Sequence, residues 1–178
     1  DFPLVSLVGV INADTILNFP DFRSSERTYQ MLSQVSGRAG RGNIKGDVII
    51  QTFNPDNYSI ELSKTHNYVD FFNKEIKIRK DLKYPPYYFI SLIKIGSKDY
   101  NLSLSESKKI ANYIKENISE DMIVLGPSVA GVSRVNKIYY FQIIIKFRNK
   151  EKMREILNNV SDLENNNKVS ISIDINPC

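Results

Sequence analysis

The chain opens on an almost continuous apolar run, Leu4–Val10 extended by Ile11, which fits a strand buried on both faces, as in a parallel sheet. A polar stretch with Asn18, Pro20 and Asp21 follows. Ser24 or Ser25 then stands as the N-cap of a helix whose Leu32, Val35 and Ala39 fall at i, i+3 and i+7. Gly42 and Gly46 bracket a turn into a second apolar strand, Val48–Phe53. Strand, helix, strand is the βαβ unit of an α/β lobe. One such unit cannot cover both faces of a sheet, so this half reads as incomplete.

Asn54-Pro55-Asp56 ends the second strand. From about residue 58 to residue 82 the spacing predicts helix, with Tyr68, Phe71, Phe72, Glu75 and Ile76 mixing apolar and charged faces. The end of this segment is basic, Lys74, Lys77, Arg79, Lys80 and Lys83 against Glu75 and Asp81, and it reads as a connector. Its aromatic residues beside lysines suit core packing or stacking on nucleic acid, and the helical spacing favours packing. His66 has no cysteine or second histidine near it and reads as a surface residue.

Pro85-Pro86 stops that pattern. Tyr88–Ile95 reads as a strand, and Ser103-x-x-Glu106 as a capping box opening a helix with Ile110, Ile114 and Ile118. Met122–Leu125 is a short strand ended by Gly126-Pro127, and Tyr139–Phe147 is a central, nearly all-apolar one. Asn149 caps a second helix carrying Met153, Ile156, Leu157 and Val160. Val169, Ile171, Ile173 and Ile175 alternate with Ser170, Ser172 and Asp174, the pattern of a half-buried strand. The order is βαββαβ, the ferredoxin-like split βαβ. The expected fold class is thus α/β followed by α+β, with divisions at 1–56, 57–84 and 85–178. That superfold hosts many functions, so the order alone licenses none.

Composition places 178 residues, 42% hydrophobic and 25% charged, among soluble globular chains of one or two small domains. No apolar run reaches membrane-spanning length and no signal pattern opens the chain, so a cytoplasmic location without a membrane partner is expected. The single cysteine, Cys178, can build neither a zinc site nor an internal disulfide, and agrees with a reducing compartment. Charge changes the picture more. Residues 1–53 hold five acidic and five basic side chains. From residue 134 to residue 154, Arg134, Lys137, Lys146, Arg148, Lys150, Lys152 and Arg154 face the single acid Glu151. Such a cluster is the footprint of a nucleic-acid backbone site or a solubilising face. Arg134 and Lys137 lie on an expected hairpin tip. Lys150 and Lys152 lie in a first helical turn, whose free N–H groups favour an anion such as a DNA phosphate or an acidic peptide terminus.

The stretch richest in chemistry is residues 34–42, Gln-Val-Ser-Gly-Arg-Ala-Gly-Arg-Gly. If the first helix continues through it, Gln34, Arg38 and Arg41 stand at i, i+4 and i+7 on one face. The guanidinium fork matches phosphate oxygens, and Gly37 and Gly40 let a backbone or nucleotide come close. Arginines acting across a cleft stabilise charge on a transferred phosphoryl group. On spacing alone, a surface helix with salt-bridged arginines and a glycine-rich cap is the alternative. The chain lacks a Gly-x4-Gly-Lys-Ser/Thr loop and an acidic Mg²⁺-binding box. Gly126–Ser133 has that loop's spacing, but with Pro127 inside and Val132 where the lysine must stand it reads as a strand-to-strand turn.

Gln34-x-x-Gly37-Arg38-x-Gly40-Arg41 resembles motif VI, the last ATPase motif of superfamily 2 helicases. Residues 21–27, Asp-Phe-Arg-Ser-Ser-Glu-Arg, precede it and residues 46–52, Gly-Asp-Val-Ile-Ile-Gln-Thr, follow it. With residues 84–87 (Tyr-Pro-Pro-Tyr), 124–127 (Val-Leu-Gly-Pro) and 173–177 (Ile-Asp-Ile-Asn-Pro), the whole is similar to the C-terminal part of the PriA family of primosomal replication-restart helicases. The resemblance implies an ATP-driven 3′→5′ DNA helicase that acts on stalled or branched forks and starts primosome assembly. It also implies a partial RecA-like lobe, followed by a domain similar in plan to a small-subunit ribosomal protein that contributes to DNA binding.

By that resemblance Gln34, Gly37, Arg38 and Arg41 face ATP and Mg²⁺ held mainly by another lobe. Arg41 is then the arginine finger on the γ-phosphate, Arg38 helps hold the phosphates, and Gln34 couples nucleotide state to lobe closure. Asp14 orients these groups. Zinc is implied only for the full-length protein, and this piece alone is expected not to hydrolyse ATP. The implied partners are branched and single-stranded DNA, the acidic tail of single-stranded-DNA-binding protein, and other primosome proteins, with a monomer expected. Two other readings stay open, a non-enzymatic nucleic-acid-binding module and a piece of a related RNA helicase.

Overall fold

The first apolar run pairs with the second. In a computed structural model, which describes residues 5–39, 46–162 and 168–176, β1 (Leu7–Val10) and β2 (Asp47–Ile50) form a parallel two-stranded sheet with Val8 beside Val48. Their burial alternates: Leu7 and Ile49 are 58% and 62% exposed, whereas Val8 and Val10 are half-buried. The expected burial on both faces is therefore corrected. The covered face packs Val10 and Ile50 around Ala13, Leu32 and Ile60. The crossover comprises α1 (Asp14–Leu17) and α2 (Ser24–Ser36).

Neither serine caps α2 through its side chain. Arg23 holds the N-cap position, and the Ser24 hydroxyl lies 2.5 and 2.7 Å from the Phe19 and Asp21 carbonyls, tying down the preceding loop. After β2, Asn57 accepts from the Ser59 N–H and starts α3 (Tyr58–Lys64), and α4 (Tyr68–Asp81) follows. The single helix expected over 58–82 is thus two, separated at His66, where φ is 52°. Phe71 is buried between the rings of Tyr29 at 4.2 Å and Tyr58 at 5.8 Å, which decides for packing at that position. The chain divides into two compact units, Asp1–Arg79 and Lys80–Cys178.

The second unit is a four-stranded sheet of order β4-β5-β3-β6 with every neighbouring pair antiparallel. Its elements run β3 (Phe89–Ser97), α5 (Tyr100–Asn117), β4 (Ile123–Val135), β5 (Ile138–Phe147), α6 (Lys150–Asp162) and β6 (Val169–Ile175). The described residues are therefore mixed α and β, with two sheets among them. Alternate strand residues, among them Ile93, Ile95, Ile143 and Ile145, meet Ile110 and Ile114 of α5 and Met153, Ile156, Leu157 and Val160 of α6 in one core. The helical spacing found those six helix positions correctly. Asn149 caps α6 as expected, accepting from the Lys152 N–H at 3.0 Å.

Two boundaries differ from expectation. Asp99, not Ser103, caps α5, accepting from the N–H groups of Asn101 and Leu102. Ser103 is buried one turn inside and donates to the sheet, 3.0 Å from the Ile95 carbonyl. Gly126-Pro127 does not end β4. The strand runs through it with a register shift between Leu125 and Ser128, a bulge that accommodates a proline lacking an N–H. Gly126 has φ of 104°, and a β-carbon there would lie 2.8 Å from the Gln142 carbonyl. The β4–β5 hairpin closes on Asn136 and Lys137, both with positive φ, as a two-residue type I′ turn requires.

Candidate functional site

α2 stops before the arginines. The Ser36 hydroxyl returns to the Leu32 carbonyl at 2.9 Å, and Gly37 caps the end with its N–H on the Ser33 carbonyl. Gln34 lies in the last helical turn and is exposed, and Arg38 follows the cap and is also exposed. The expectation of one continuous helix face is corrected: a segment rich in glycine leaves the helix at its first glycine. Arg41, with Gly40 and Gly42, lies outside the described residues. Among the described residues no side-chain hydrogen bond or ion pair engages Gln34 or Arg38. The Ser36 hydroxyl also lies 3.3 Å from His66 Nε2, so the histidine sits beside this helix end.

Asp14 opens α1, just after the first strand. It is 5% exposed, and its carboxylate accepts from the Phe53 N–H at 2.9 Å and from the Asn54 side-chain amide at 2.7 Å. Those bonds, the Phe53 N–H foremost, hold its carboxyl below the usual carboxylate range. Asp14 pins the loop leaving β2.

The opposite end of α2 is clasped to α4. Arg79 donates to Glu75 and to Glu26, each at 2.7 Å, and stands over the Phe22 ring at 5.1 Å. Burial works against the Arg79 charge, and the bonds to Glu75 and Glu26 outweigh it, so its pKa is raised. The Tyr58 hydroxyl donates to Glu75 at 2.5 Å, and burial, then that carboxylate, pushes its pKa up to about 12. Asp21 pairs with Arg23 at 2.9 Å and Arg27 at 3.1 Å. The stretch that precedes the arginines thus positions their helix.

In the second unit the basic residues divide by environment. Lys146 is 7% exposed, donates to the Leu82 carbonyl at 2.8 Å and sits 3.5 Å from the Tyr84 ring centroid. Burial, then Lys83, pushes its pKa down. The residue expected to touch DNA is thus engaged in holding residues 82–84 against the outer sheet face. Arg148 and Lys83 both lie over the Tyr88 ring, at 4.7 and 5.8 Å, and Lys150 lies 4.2 Å from the centroid of Phe89. Lys152 pairs with Glu155 at 3.1 Å. Arg134 does not lie in a loop. It pairs across the hairpin with Tyr139 and stacks 4.8 Å over its ring, one residue pair below the turn that carries Lys137.

Between α6 and the sheet lies a cavity of about 540 Å³. Phe89, Phe147, Met153, Leu157, Ile173 and Ile175 give it an apolar lining. Lys150, Arg154, Asn158 and Asn176 supply its polar groups. Lys150, Arg154 and Asn158 recur at i, i+4 and i+8 along one helix stripe, a signal present in the sequence. Arg154 was legible there only as one charge in a cluster. The cavity combines an apolar slot with cations at the start of a helix, an arrangement that suits a carboxylate attached to an apolar group.

Comparison with known proteins agrees with this division. The family model described as the primosomal protein N C-terminal domain matches residues 80–178, the span of the second unit. The chain is 42% identical over 182 residues to the replication restart protein PriA of Bacillus subtilis, covering 99% of this chain and 22% of the relative. The PriA of Synechocystis is 40% identical over 148 residues, 83% of this chain and 18% of the relative. That of Borreliella burgdorferi is 34% identical over 178 residues, 99% of this chain and 27% of the relative. The chain therefore spans about a fifth to a quarter of the length of these curated relatives. Because the model covers more than half of the chain and the whole of its second unit, the chain belongs to the primosomal protein N C-terminal domain family.

Proposed function

We propose that the chain is the C-terminal portion of an ATP-driven 3′→5′ DNA helicase that recognises stalled or branched forks and initiates primosome assembly for replication restart. The first unit, with parallel strands joined through α2, is read as part of a RecA-like lobe. The antiparallel order β4-β5-β3-β6 of a βαββαβ unit supports the ferredoxin-like reading of the second. One observation carries the catalytic reading: Gln34 and Arg38 are presented, exposed and without a side-chain partner among the described residues, where the crossover helix ends.

In this reading ATP and Mg²⁺ are held chiefly by residues beyond this chain, and zinc belongs to the full-length protein. The chain's own residues fit only the phosphate side of such a site. Guanidinium forks neutralise charge on a phosphoryl group, with Arg38 holding the phosphates and Arg41 as the finger. Gln34 links nucleotide state to closure. Asp14 supports the site by fixing the loop after β2.

Arg134, Lys137, Arg148 and Lys150 are the candidate phosphate contacts of the second unit. The α6 cavity is the candidate site for the acidic tail of single-stranded-DNA-binding protein, with its terminal carboxylate between Lys150 and Arg154. In the full-length protein, Arg41→Ala is expected to lower DNA-stimulated ATP turnover by about 10³-fold or more while DNA affinity stays near normal. Turnover within a few fold of the parent refutes the finger role. Arg38→Ala is expected to raise the KM for ATP as well. Titrating ATP into complexes of the chain with DNA and with RNA separates a helicase piece from a passive module and from an RNA-directed relative.

A further inference from the structure

The helices α5 and α6 cover one face of the second unit's sheet, and the other face is only partly covered. At one end, Leu82 and Tyr84 lie against Lys146, which is buried there, and Ile90 beside it in the register is buried too. The rest of the face is a grid fixed by the strand register. Tyr140, Gly96 and Ser170 form one row, Gln142, Lys94 and Ser172 the next, and Ile144, Leu92 and Asp174 the third. Lys94, Ser170, Ser172 and Asp174 are exposed, and Tyr140, Gln142, Leu92 and Ile144 are half-buried.

Tyr140 lies across the sheet rather than standing away from it. A β-carbon added to Gly96 would be 2.7 Å from Tyr140 Cε1 and 3.0 Å from Cδ1, so the glycine makes the seat on which the ring rests. Among the described residues, no hydrogen bond or ring contact engages the Tyr140 ring or hydroxyl, and no bond engages the side chains of Lys94, Gln142 or Ser172. The cations gather at the Tyr140 end. Lys94 is in the adjacent row, and Lys98 directly follows Ser97, whose hydroxyl donates to the Lys168 carbonyl at 2.9 Å. The acid Asp174 stands at the opposite end of the grid.

We propose that this open face is a binding site for single-stranded DNA, with one base stacked on Tyr140 and the backbone drawn by Lys94, Lys98 and Lys168. Gln142 and Ser172, next to Lys94, read the edge of the neighbouring base. An aromatic ring pinned flat on a sheet offers a π-face that only an unpaired base can cover, and lysines around it supply the sequence-independent attraction to phosphate. The acid at the far end fixes the direction in which the charge falls away. This site is separate from the hairpin tip and the α6 cavity, and it rests on the reading of the second unit as DNA-binding.

The test uses the 178-residue chain with an oligothymidine carrying 5-iodouracil, alongside a duplex of equal length. Irradiation of the unmodified chain is expected to place the adduct in the tryptic segment 138–146, at Tyr140. In fluorescence anisotropy, Tyr140→Ala is expected to weaken single-strand binding about tenfold, with Tyr140→Phe near the parent and duplex affinity unchanged. Adducts only outside 138–146, or Tyr140→Ala within twofold of the parent, overturn the site while leaving the DNA-binding reading intact. A chain that binds neither single strand nor duplex removes both.

Discussion

Lys150, Lys152 and Arg154 fall within five consecutive positions of the sequence, yet the helix sends them to different tasks. Lys150 and Arg154 line the cavity, and Lys152 is paired with Glu155 outside it. Charge-assisted bonds to a carboxylate contribute about 1.5–3 kcal/mol, enough for a tenfold effect or more. Arg154→Glu and Lys150→Glu are therefore expected to weaken binding of an acidic peptide with an apolar C-terminal residue and free carboxylate by at least about tenfold. Lys152→Glu is expected to stay within twofold, and calorimetric titration of each variant checks this. Equal losses for all three would replace a defined site with a diffuse basic surface. Lys146 carries the residue-scale lesson furthest. Counting charge grouped it with the DNA contacts, but its register position points it under residues 82–84, a contact of high sequence separation that no local pattern encodes.

Among the elements, α2 is held by its contacts with α3 and α4 rather than by a side-chain cap of its own. The Arg79 clasp joins Glu26 on α2 to Glu75 on α4, and Tyr58 closes it from α3. Removing one partner leaves Glu75, 9% exposed in its side chain, without its counter-charge. Such losses cost roughly 3–5 kcal/mol when fully buried. Because Glu26 retains 36% side-chain exposure, a smaller value of about 2–3 kcal/mol is expected for Arg79→Ala. Hydrogen exchange should then rise over residues 24–36 and 68–79 while the four-stranded unit keeps its protection. Unchanged exchange in α2 would show that the clasp does not hold it. The acidic and basic residues of this cluster were visible in the sequence as helix-surface charge; their meeting across two helices was not.

At the scale of the whole molecule, the two units differ in how their carboxylates are used. Asp14 and Asp21 both lie in the first unit with lowered pKa values. For Asp14 the cause is first the Phe53 N–H; for Asp21 burial opposes the shift, and the bond from Arg23 with the charges of Arg23 and Arg27 overcomes it. A carboxyl whose folded-state pKa is below its unfolded value takes up protons more readily in the unfolded chain. The stability it supplies is complete above about pH 4 and fades as the pH falls through the folded-state pKa. Acidification is thus expected to raise exchange in residues 5–36, and Asp14→Asn is expected to flatten that dependence. A parent chain whose first unit keeps the same protection at pH 3 as at pH 7 would contradict it.

The sequence by itself determined the number, type and core faces of most elements, because amphipathic spacing is local. Ile110, Ile114, Met153, Ile156, Leu157 and Val160 entered the core where the helical period put them. It also carried the family, through the run from Gln34 to Arg41 and its neighbours. It misplaced the start of α5 and the end of β4, since a serine that bonds to the sheet and a bulge around Pro127 are settled by partners 8 or more residues away. Only the tertiary structure decided that Lys146 is buried beneath residues 82–84 and how Tyr140 comes to rest on Gly96. Each of those depends on strand register and helix packing, which bring together residues that the chain order keeps apart.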